Sequence, residues 1–137
     1  MYRMAREQNY NVLALAQHLD DLAESFLMSA LYSGRLQTMK ASYLNDAGDI
    51  RIIRPLVYAR EKQMTDFANR AQLPMILDNC PACFSAPTQR EHVKALLANE
   101  EREHEYVFQN LLHTMRPLMV RQTPSPYKPP RQRKTEK

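Results

Sequence analysis

The feature that most constrains the fold is a short apolar run with an amphipathic helix close behind it. Residues 12–16 read Val-Leu-Ala-Leu-Ala, between Asn11 and Gln17. A run this short, beside polar neighbours, predicts a strand buried on both faces, as in parallel α/β sheets; a piece of buried helix is the alternative. The apolar stripe from Leu22 to Leu31 has helical spacing. The sequence therefore predicts a strand–helix unit.

Polar side chains fill the junction between that strand and that helix. His18, Asp20 and Asp21 follow the apolar run directly. In open α/β sheets, ligands bind at the edge formed by the carboxyl ends of the strands, so this junction is a candidate site. Asp21 and Glu24 have the spacing of a capping box, and Gly34 fits the end of the helix.

The middle of the chain predicts a hairpin and then a helix. Residues 38–44 and 50–56 read as two extended segments, joined by a linker rich in turn formers. Within the second segment, Ile50 and Ile52 alternate with Arg51, as in a half-exposed strand. A helix is predicted over about 60–71, with four residues facing inward: Met64, Phe67, Ala68 and Ala71.

Two further helices are predicted near the carboxyl end. Residues 73–77 read as a short extended piece, and Thr88 with Glu91 has capping-box spacing at the start of a helix. The last helix is predicted over about 103–115, ended by Pro117. Residues 1–120 are thus interpreted as one α/β domain, a partial Rossmann-like parallel sheet with flanking helices.

Composition favours a soluble, cytoplasmic protein. Apolar residues make up 44% of the 137 residues, enough for a core, and no segment approaches the ~20 apolar residues that a membrane span needs. Six basic residues and one acidic residue give residues 121–137 a net charge of +5. Four prolines in that segment predict a disordered basic tail, which either attracts RNA phosphates or only solubilises the chain.

Cysteine and glycine are both scarce. Cys80 and Cys83 are the two cysteines, and so close a pair suggests a metal or redox site or, failing that, two reduced buried thiols. Gly34 and Gly48 are the two glycines, and they stand far apart. A loop that cradles phosphate needs several glycines close together, so we expect these 137 residues to contain no such loop.

Several segments, in order and at compatible spacing, resemble one family. Residues 15–21 (L-A-Q-H-L-D-D) are similar to the His-x-Asp-Asp segment of PP-loop ATPases. Residues 53–62 (I-R-P-L-V-Y-A-R-E-K) resemble a block of the tRNA 2-thiocytidine synthetases, and Cys80-Pro81-Ala82-Cys83 falls where that family has a C-x-x-C element. The resemblance covers roughly residues 2–115 and lacks the family's S-G-G-x-D-S loop and second C-x-x-C. It therefore implies an incomplete form of the enzyme.

The resemblance also implies a reaction. Family members use ATP and Mg²⁺ to adenylate a carbonyl oxygen of a tRNA base, and sulfur from a donor then displaces AMP to give 2-thiocytidine. A 4Fe-4S cluster held by three cysteines is thought to carry the sulfur. The partners implied are tRNA, a sulfur donor, and either a second copy of this chain or a missing amino-terminal half.

The family's functional residues map onto seven positions. Asp20 and Asp21 match the acidic pair and are candidate catalytic residues and Mg²⁺ ligands, with helix capping as the alternative. His18, Arg54 and Arg60 are candidates for contact with nucleotide or tRNA, or for purely internal hydrogen bonds and salt bridges. The two cysteines, Cys80 and Cys83, match the cluster element, and Cys80 is the favoured ligand.

Two alternative functions remain open at this point. One is a catalytically inactive module that binds tRNA or a partner through its basic tail. The other is a relative that forms 2-thiouridine in place of 2-thiocytidine. The block at residues 53–62 favours the cytidine branch.

Overall fold

The computed structural model describes residues 1–74 and 88–120. The predicted C-x-x-C element and the predicted basic tail lie outside these ranges. Within these ranges, eight elements follow one another: α1 (Tyr2–Glu7), β1 (Val12–Ala14), α2 (Leu19–Ser33), β2 (Ser42–Leu44), β3 (Arg51–Ile53), α3 (Glu61–Arg70), α4 (Gln89–Glu103) and α5 (Val107–Met119). None of the helices in these ranges is long and apolar enough to cross a membrane.

The three strands form one small mixed sheet in the order β1-β3-β2. β1 pairs with β3 in parallel, with Leu13 opposite Ile52, and β2 pairs with β3 antiparallel, with Tyr43 opposite Ile52. The predicted hairpin and the predicted α/β class are confirmed. Because β1 and β3 run the same way, the segments that follow Ala14 and Ile53 leave the sheet at the same edge.

Two apolar clusters hold these elements together. The larger one lies between α2, α4 and α5, and it includes Leu22, Phe26, Val93, Leu97, Phe108 and Met115. The smaller one joins α1 to the sheet through Ala5, Ile50 and Ile52. Ile50 and Ile52 are buried and Arg51 is exposed, as the alternation predicted. The fold therefore consists of a helical layer and a thin sheet layer, with the β1–α2 junction close to both.

Two predictions of burial are wrong. β1 is not buried on both faces, because it stands at the edge of the described sheet, where Val12 is 46% exposed. Helix α3 forms where it was predicted, but it buries none of its side chains, and Phe67 is 64% exposed. Helical periodicity shows that apolar residues share one face of a helix, but it does not show whether another element packs against that face.

Three helix ends also differ from prediction. α2 begins three residues earlier than the predicted capping box, so Asp21 is the third helical residue and its carboxylate accepts the backbone N–H of His18. α5 begins at Val107 and continues through Pro117 to Met119, whereas Glu103 ends α4. Proline has no backbone N–H, so Pro117 removes one hydrogen bond from the last turns of α5. The helix continues past it because Met115 and Met119 are buried there.

Candidate active site at the first turns of three helices

The β1–α2 junction lies against the loop that follows β3. The backbone N–H of Leu19 donates to the carbonyl oxygen of Ala59 at 2.9 Å. This bond holds the start of α2 beside the start of α3. The common edge of parallel strands therefore brings His18, Asp20 and Asp21 close to Arg60, although about 40 residues of chain separate them.

Asp20 uses both carboxylate oxygens within the protein. Oδ2 accepts the backbone N–H of Glu61 at 2.7 Å, and Oδ1 accepts Nε–H of Arg60 at 3.1 Å. The first of these bonds caps helix α3 from another helix, because Glu61 is the first residue of α3. Asp20 is 8% exposed, so these bonds compensate for the burial of its charge.

The guanidinium group of Arg60 is hydrogen-bonded along its edge and stacked on an aromatic ring. Its terminal nitrogens donate to the two carboxylate oxygens of Glu101 at 2.7 and 2.9 Å. The guanidinium carbon lies 3.3 Å from the centre of the Phe108 ring. The hydrogen bond from Arg60 lowers the pKa of Glu101 to about 2, against the opposing effect of burial and with a further hydrogen bond from Lys62. Arg60 thus joins α2, the start of α3, α4 and α5.

Asp21 and Glu24 share one cation, Arg90 of α4. Nε of Arg90 donates to Oε2 of Glu24 at 2.6 Å, and a terminal nitrogen donates to Oδ1 of Asp21. Burial by itself would lower the pKa of Arg90, but the hydrogen bond to Glu24 and the charges of both carboxylates raise it above the ordinary value. The Glu24 side chain is 6% exposed, so Arg90 neutralises a carboxylate that water barely reaches.

His18 lies between the two aspartates. Nδ1 is 3.5 Å from Oδ2 of Asp20, and Nε2 is 3.3 Å from Oδ2 of Asp21. Nδ1 is buried and has no hydrogen-bond partner within the described residues. The imidazole is therefore enclosed between the two carboxylates, and its Nδ1 is shielded from solvent.

Two cavities open beside these residues. One, of about 370 Å³, is lined by residues from the first turns of α2, α3 and α4, among them His18, Asp21, Glu61, Thr88, Arg90 and Lys94. The other, of about 380 Å³, lies between α3 and the α4–α5 pair, with Asp20, Arg60, Leu97 and Phe108 in its wall. Lys94 and Glu61 line both cavities, and Nζ of Lys94 lies 2.9 Å from Oε2 of Glu61.

The first cavity is lined by charges of both signs. Its wall carries four carboxylates (Asp21, Glu24, Glu61 and Glu91) and two cations, Arg90 and Lys94. Arg90 is paired with Asp21 and Glu24, and Lys94 is paired with Glu61, although the two cationic side chains are 53% and 59% exposed. The hydrogen bond that Lys94 donates to Glu61 raises the pKa of the Lys94 amine, so this amine stays protonated at neutral pH.

Arg54 lies apart from this group. Its Nε donates to Oε1 of Gln17 at 3.0 Å, and a terminal nitrogen donates to the carbonyl oxygen of Lys40 at 2.6 Å. Its guanidinium carbon is 5.7 Å from the centre of the Tyr43 ring. The predicted contact of Arg54 with nucleotide or tRNA stays a prediction, and the observed contacts join the loop after β1 to the hairpin.

Sequence reasoning missed most of the charged partners in this group. They are Glu24, Glu61, Arg90, Lys94 and Glu101, and each is bonded to a residue at least 33 positions away. The sequence offered one signal, the polar start of the helix after Thr88, which contains Arg90. In a sequence, a charged residue on a helix is interpreted as solvent-exposed, because its partner from another element is known only from the tertiary structure.

The described residues do not fit a magnesium site. No group of three or more His, Cys, Asp or Glu side chains within 1–74 and 88–120 is arranged to hold a metal ion. The oxygens of Asp20 and Asp21 are already bonded to N–H groups of Arg60, Glu61, Arg90 and His18. The catalytic role of the two aspartates stays a prediction.

Comparisons with known proteins identify the family of this chain. The PP-loop domain family matches residues 1–101. The chain belongs to that family.

Similar proteins within this family include tRNA-cytidine(32) 2-sulfurtransferases. The chain is 36% identical over 115 residues to the tRNA-cytidine(32) 2-sulfurtransferase of Geobacter sulfurreducens, covering 84% of this chain and 45% of that one. It is 41% identical over 103 residues to the enzyme of the same name from Sinorhizobium fredii, covering 74% of this chain and 34% of that one. The chain thus spans less than half the length of these two relatives.

A solved structure shares the fold. The U34-tRNA thiolase NcsA from Methanococcus maripaludis, solved with its 4Fe-4S cluster, superimposes with a TM-score of 0.69. The match covers 85% of this chain and 39% of that chain, at 22% sequence identity. It supports the partial Rossmann-like architecture predicted from the sequence.

Proposed function

We propose that this chain takes part in the thiolation of tRNA, as part of a PP-loop enzyme that forms 2-thiocytidine. The observation that carries the proposal is the group formed by His18, Asp20 and Asp21 after β1, in a chain 36–41% identical to tRNA-cytidine 2-sulfurtransferases. ATP would activate the carbonyl oxygen of the base by adenylation, and a sulfur donor would then displace AMP.

In this proposal the chain's own residues build the wall of the site. Arg90 and Lys94 hold the carboxylates of Asp21, Glu24 and Glu61 beside the cavity that His18 also lines. Asp21 accepts the backbone N–H of His18 and Asp20 accepts the backbone N–H of Glu61, so the two aspartates fix the starts of α2 and α3. From this wall, His18 would contact the nucleotide or the base.

Cys80 and Cys83 belong to the same proposal. Thiolate suits an iron–sulfur cluster, and we propose Cys80 as the favoured ligand, with Cys83 as the second candidate. A 4Fe-4S cluster could not be completed by these two cysteines alone and would need further ligands from outside this chain. When bound, it would supply an iron position for sulfur near the activated base. Both cysteines lie outside the described residues, so their role is tested by substitution and by iron and sulfide analysis of the anaerobically purified protein.

The experiment measures modified nucleosides in cellular tRNA. The gene is disrupted at its native locus, and total tRNA is digested and analysed by mass spectrometry. We expect 2-thiocytidine to disappear and to return with the wild-type gene. The double variant Arg90→Gln/Lys94→Gln is expected to restore about a tenth of the wild-type level or less, because Asp21, Glu24 and Glu61 lose their cations at the candidate site.

A matched control removes charge elsewhere. Arg3→Gln neutralises a residue of α1 whose side chain is 88% exposed, so it is expected to restore 2-thiocytidine fully. If disruption leaves 2-thiocytidine unchanged and lowers 2-thiouridine, the substrate is the uridine branch. If neither nucleoside changes and the protein still binds tRNA without ATP, with binding that weakens steeply in salt and on deletion of 121–137, the chain is a binding module.

A further inference from the structure

Helix α3 is positioned by charged contacts at its first turn. None of its ten residues is buried, so apolar packing does little to hold it. Its first backbone N–H donates to Asp20 at 2.7 Å, its Glu61 carboxylate pairs with Lys94 at 2.9 Å, and its Lys62 amine pairs with Glu101 at 2.9 Å. The cavity between α3 and the α4–α5 pair follows from this arrangement, since no side chain of α3 fills it.

Arg60, immediately before this helix, is the centre of those contacts. Its guanidinium is bonded to Glu101 through two nitrogens and to Asp20 through the third, and its face lies on the Phe108 ring. The side chain is 14% exposed. A phosphate could bind this guanidinium only by displacing a bidentate carboxylate, which is the arrangement in which arginine binds an acid most strongly.

A continuous chain of contacts leads from Arg60 to the cavity lined by His18, Arg90 and Lys94. Arg60 holds Oδ1 of Asp20, and Oδ2 of the same carboxylate fixes the backbone of Glu61. The side chain of Glu61 in turn holds Lys94, which lines the cavity that contains His18 and Arg90. A displacement of Arg60 would therefore be transmitted to Lys94 through two residues.

We propose that Arg60 is a positioning residue, which places Asp20, helix α3 and Lys94 and does not itself bind phosphate of ATP or tRNA. The part of this inference that concerns catalysis rests on the proposed function above. The part that concerns helix α3 rests on the contacts alone, and it is tested without any activity.

The kinetic test compares Arg60 with its carboxylate partner. In the native-length protein, Arg60→Gln, Glu101→Gln and the double variant are assayed for 2-thiocytidine formation. We expect each single change to lower kcat about tenfold with KM for ATP and tRNA within about twofold of wild type. The double variant is expected to be no slower than either single one, because both changes break the same contact.

The opposite pattern would overturn the proposal. If Arg60 were a phosphate ligand, Arg60→Gln would raise KM for ATP or tRNA at least about tenfold, and Glu101→Gln would leave the rate unchanged. Arg60→Lys separates the two roles further. A lysine keeps the charge that a phosphate needs but cannot bind Glu101 through two nitrogens, so we expect it to behave like Arg60→Gln.

Hydrogen exchange tests the structural half. Backbone amides of 61–70 are expected to exchange at least about tenfold faster in Arg60→Lys and Glu101→Gln than in wild type, with amides of α2 and α5 unchanged. The control Arg3→Gln removes an 88% exposed cation of α1 that, among the described residues, makes no salt bridge with α3, and it is expected to exchange like wild type. Unchanged exchange over 61–70 in both variants would show that Arg60 does not hold α3, whatever the protein's activity.

Discussion

Arg90 of α4 donates through Nε to Oε2 of Glu24 of α2 at 2.6 Å, joining residues 66 positions apart in the chain. The carboxylate is 6% exposed and the guanidinium is 53% exposed, so this contact brings a solvated cation to a buried anion. This hydrogen bond joins α2 to α4, which also pack against each other through apolar side chains. The same guanidinium also holds Asp21, one of the two predicted catalytic residues.

Removing Arg90 is expected to destabilise the fold. In Arg90→Ala, Glu24 loses its charged partner while it stays buried, and we expect unfolding to require about 1–3 kcal/mol less free energy than in wild type. Urea denaturation followed by circular dichroism measures this. The double variant Arg90→Ala/Glu24→Gln is expected to lose less than the sum of the single changes. Strict additivity would show that the two side chains do not interact in solution.

Glu101 is expected to make the protein sensitive to acid. Its pKa is lowered from 4.5 to about 2 in the folded protein, chiefly by the hydrogen bond from Arg60. A lowered pKa means that the stabilisation is present above about pH 5 and is lost as the pH falls towards 2. The stability difference between wild type and Glu101→Gln is therefore expected to be about 1–2 kcal/mol at pH 7 and to shrink between pH 4.5 and 2.

Urea titrations of both proteins from pH 7 to pH 2.5 measure that difference directly. Other carboxylates titrate in the two proteins alike, so their effects cancel in the comparison. A difference that stays constant with pH would mean that Glu101 ionises normally in the folded protein.

Gly34 is expected to tolerate asparagine better than alanine. It ends α2 with φ of 61°, and a Cβ added there meets no atom within 4 Å. The cost of a side chain is therefore backbone strain, about 1 kcal/mol for alanine. Asparagine adopts this conformation more readily, so thermal unfolding should rank Gly34 first, Gly34→Asn next and Gly34→Ala last. Equal stability of the three proteins would contradict this account.

The edge of the sheet is expected to promote self-association. β1 is an edge strand of the described sheet, and Val12 on it is 46% exposed. Exposed apolar edge strands pair with other chains, and a charge on the edge opposes this. We expect sedimentation velocity of the 137-residue chain to show concentration-dependent association, reduced in Val12→Lys and unchanged in Val57→Ile, a conservative change at a buried position. A monomer at all concentrations would count against this expectation.

Local patterns in the sequence predicted the elements and the general position of the site. The spacing of Leu22, Ala23 and Phe26 predicted α2, the turn formers between the two extended segments predicted the hairpin, and Thr88 with Glu91 predicted the start of α4. His18, Asp20 and Asp21 do lie together at the carboxyl end of β1. These features depend on neighbours within a few residues along the chain, so they can be predicted from a single sequence.

The sequence by itself thus determined the α/β class, the order of the helices and strands, and the presence of polar residues after β1. The tertiary structure alone decided that Arg60 lies between Glu101 and Asp20, that Arg90 reaches Glu24, and that α3 buries none of its residues. The physical reason is the range of the interactions. Helix caps and apolar periodicity act over three or four residues, whereas a salt bridge forms between whichever charges the packed elements bring within about 4 Å of each other.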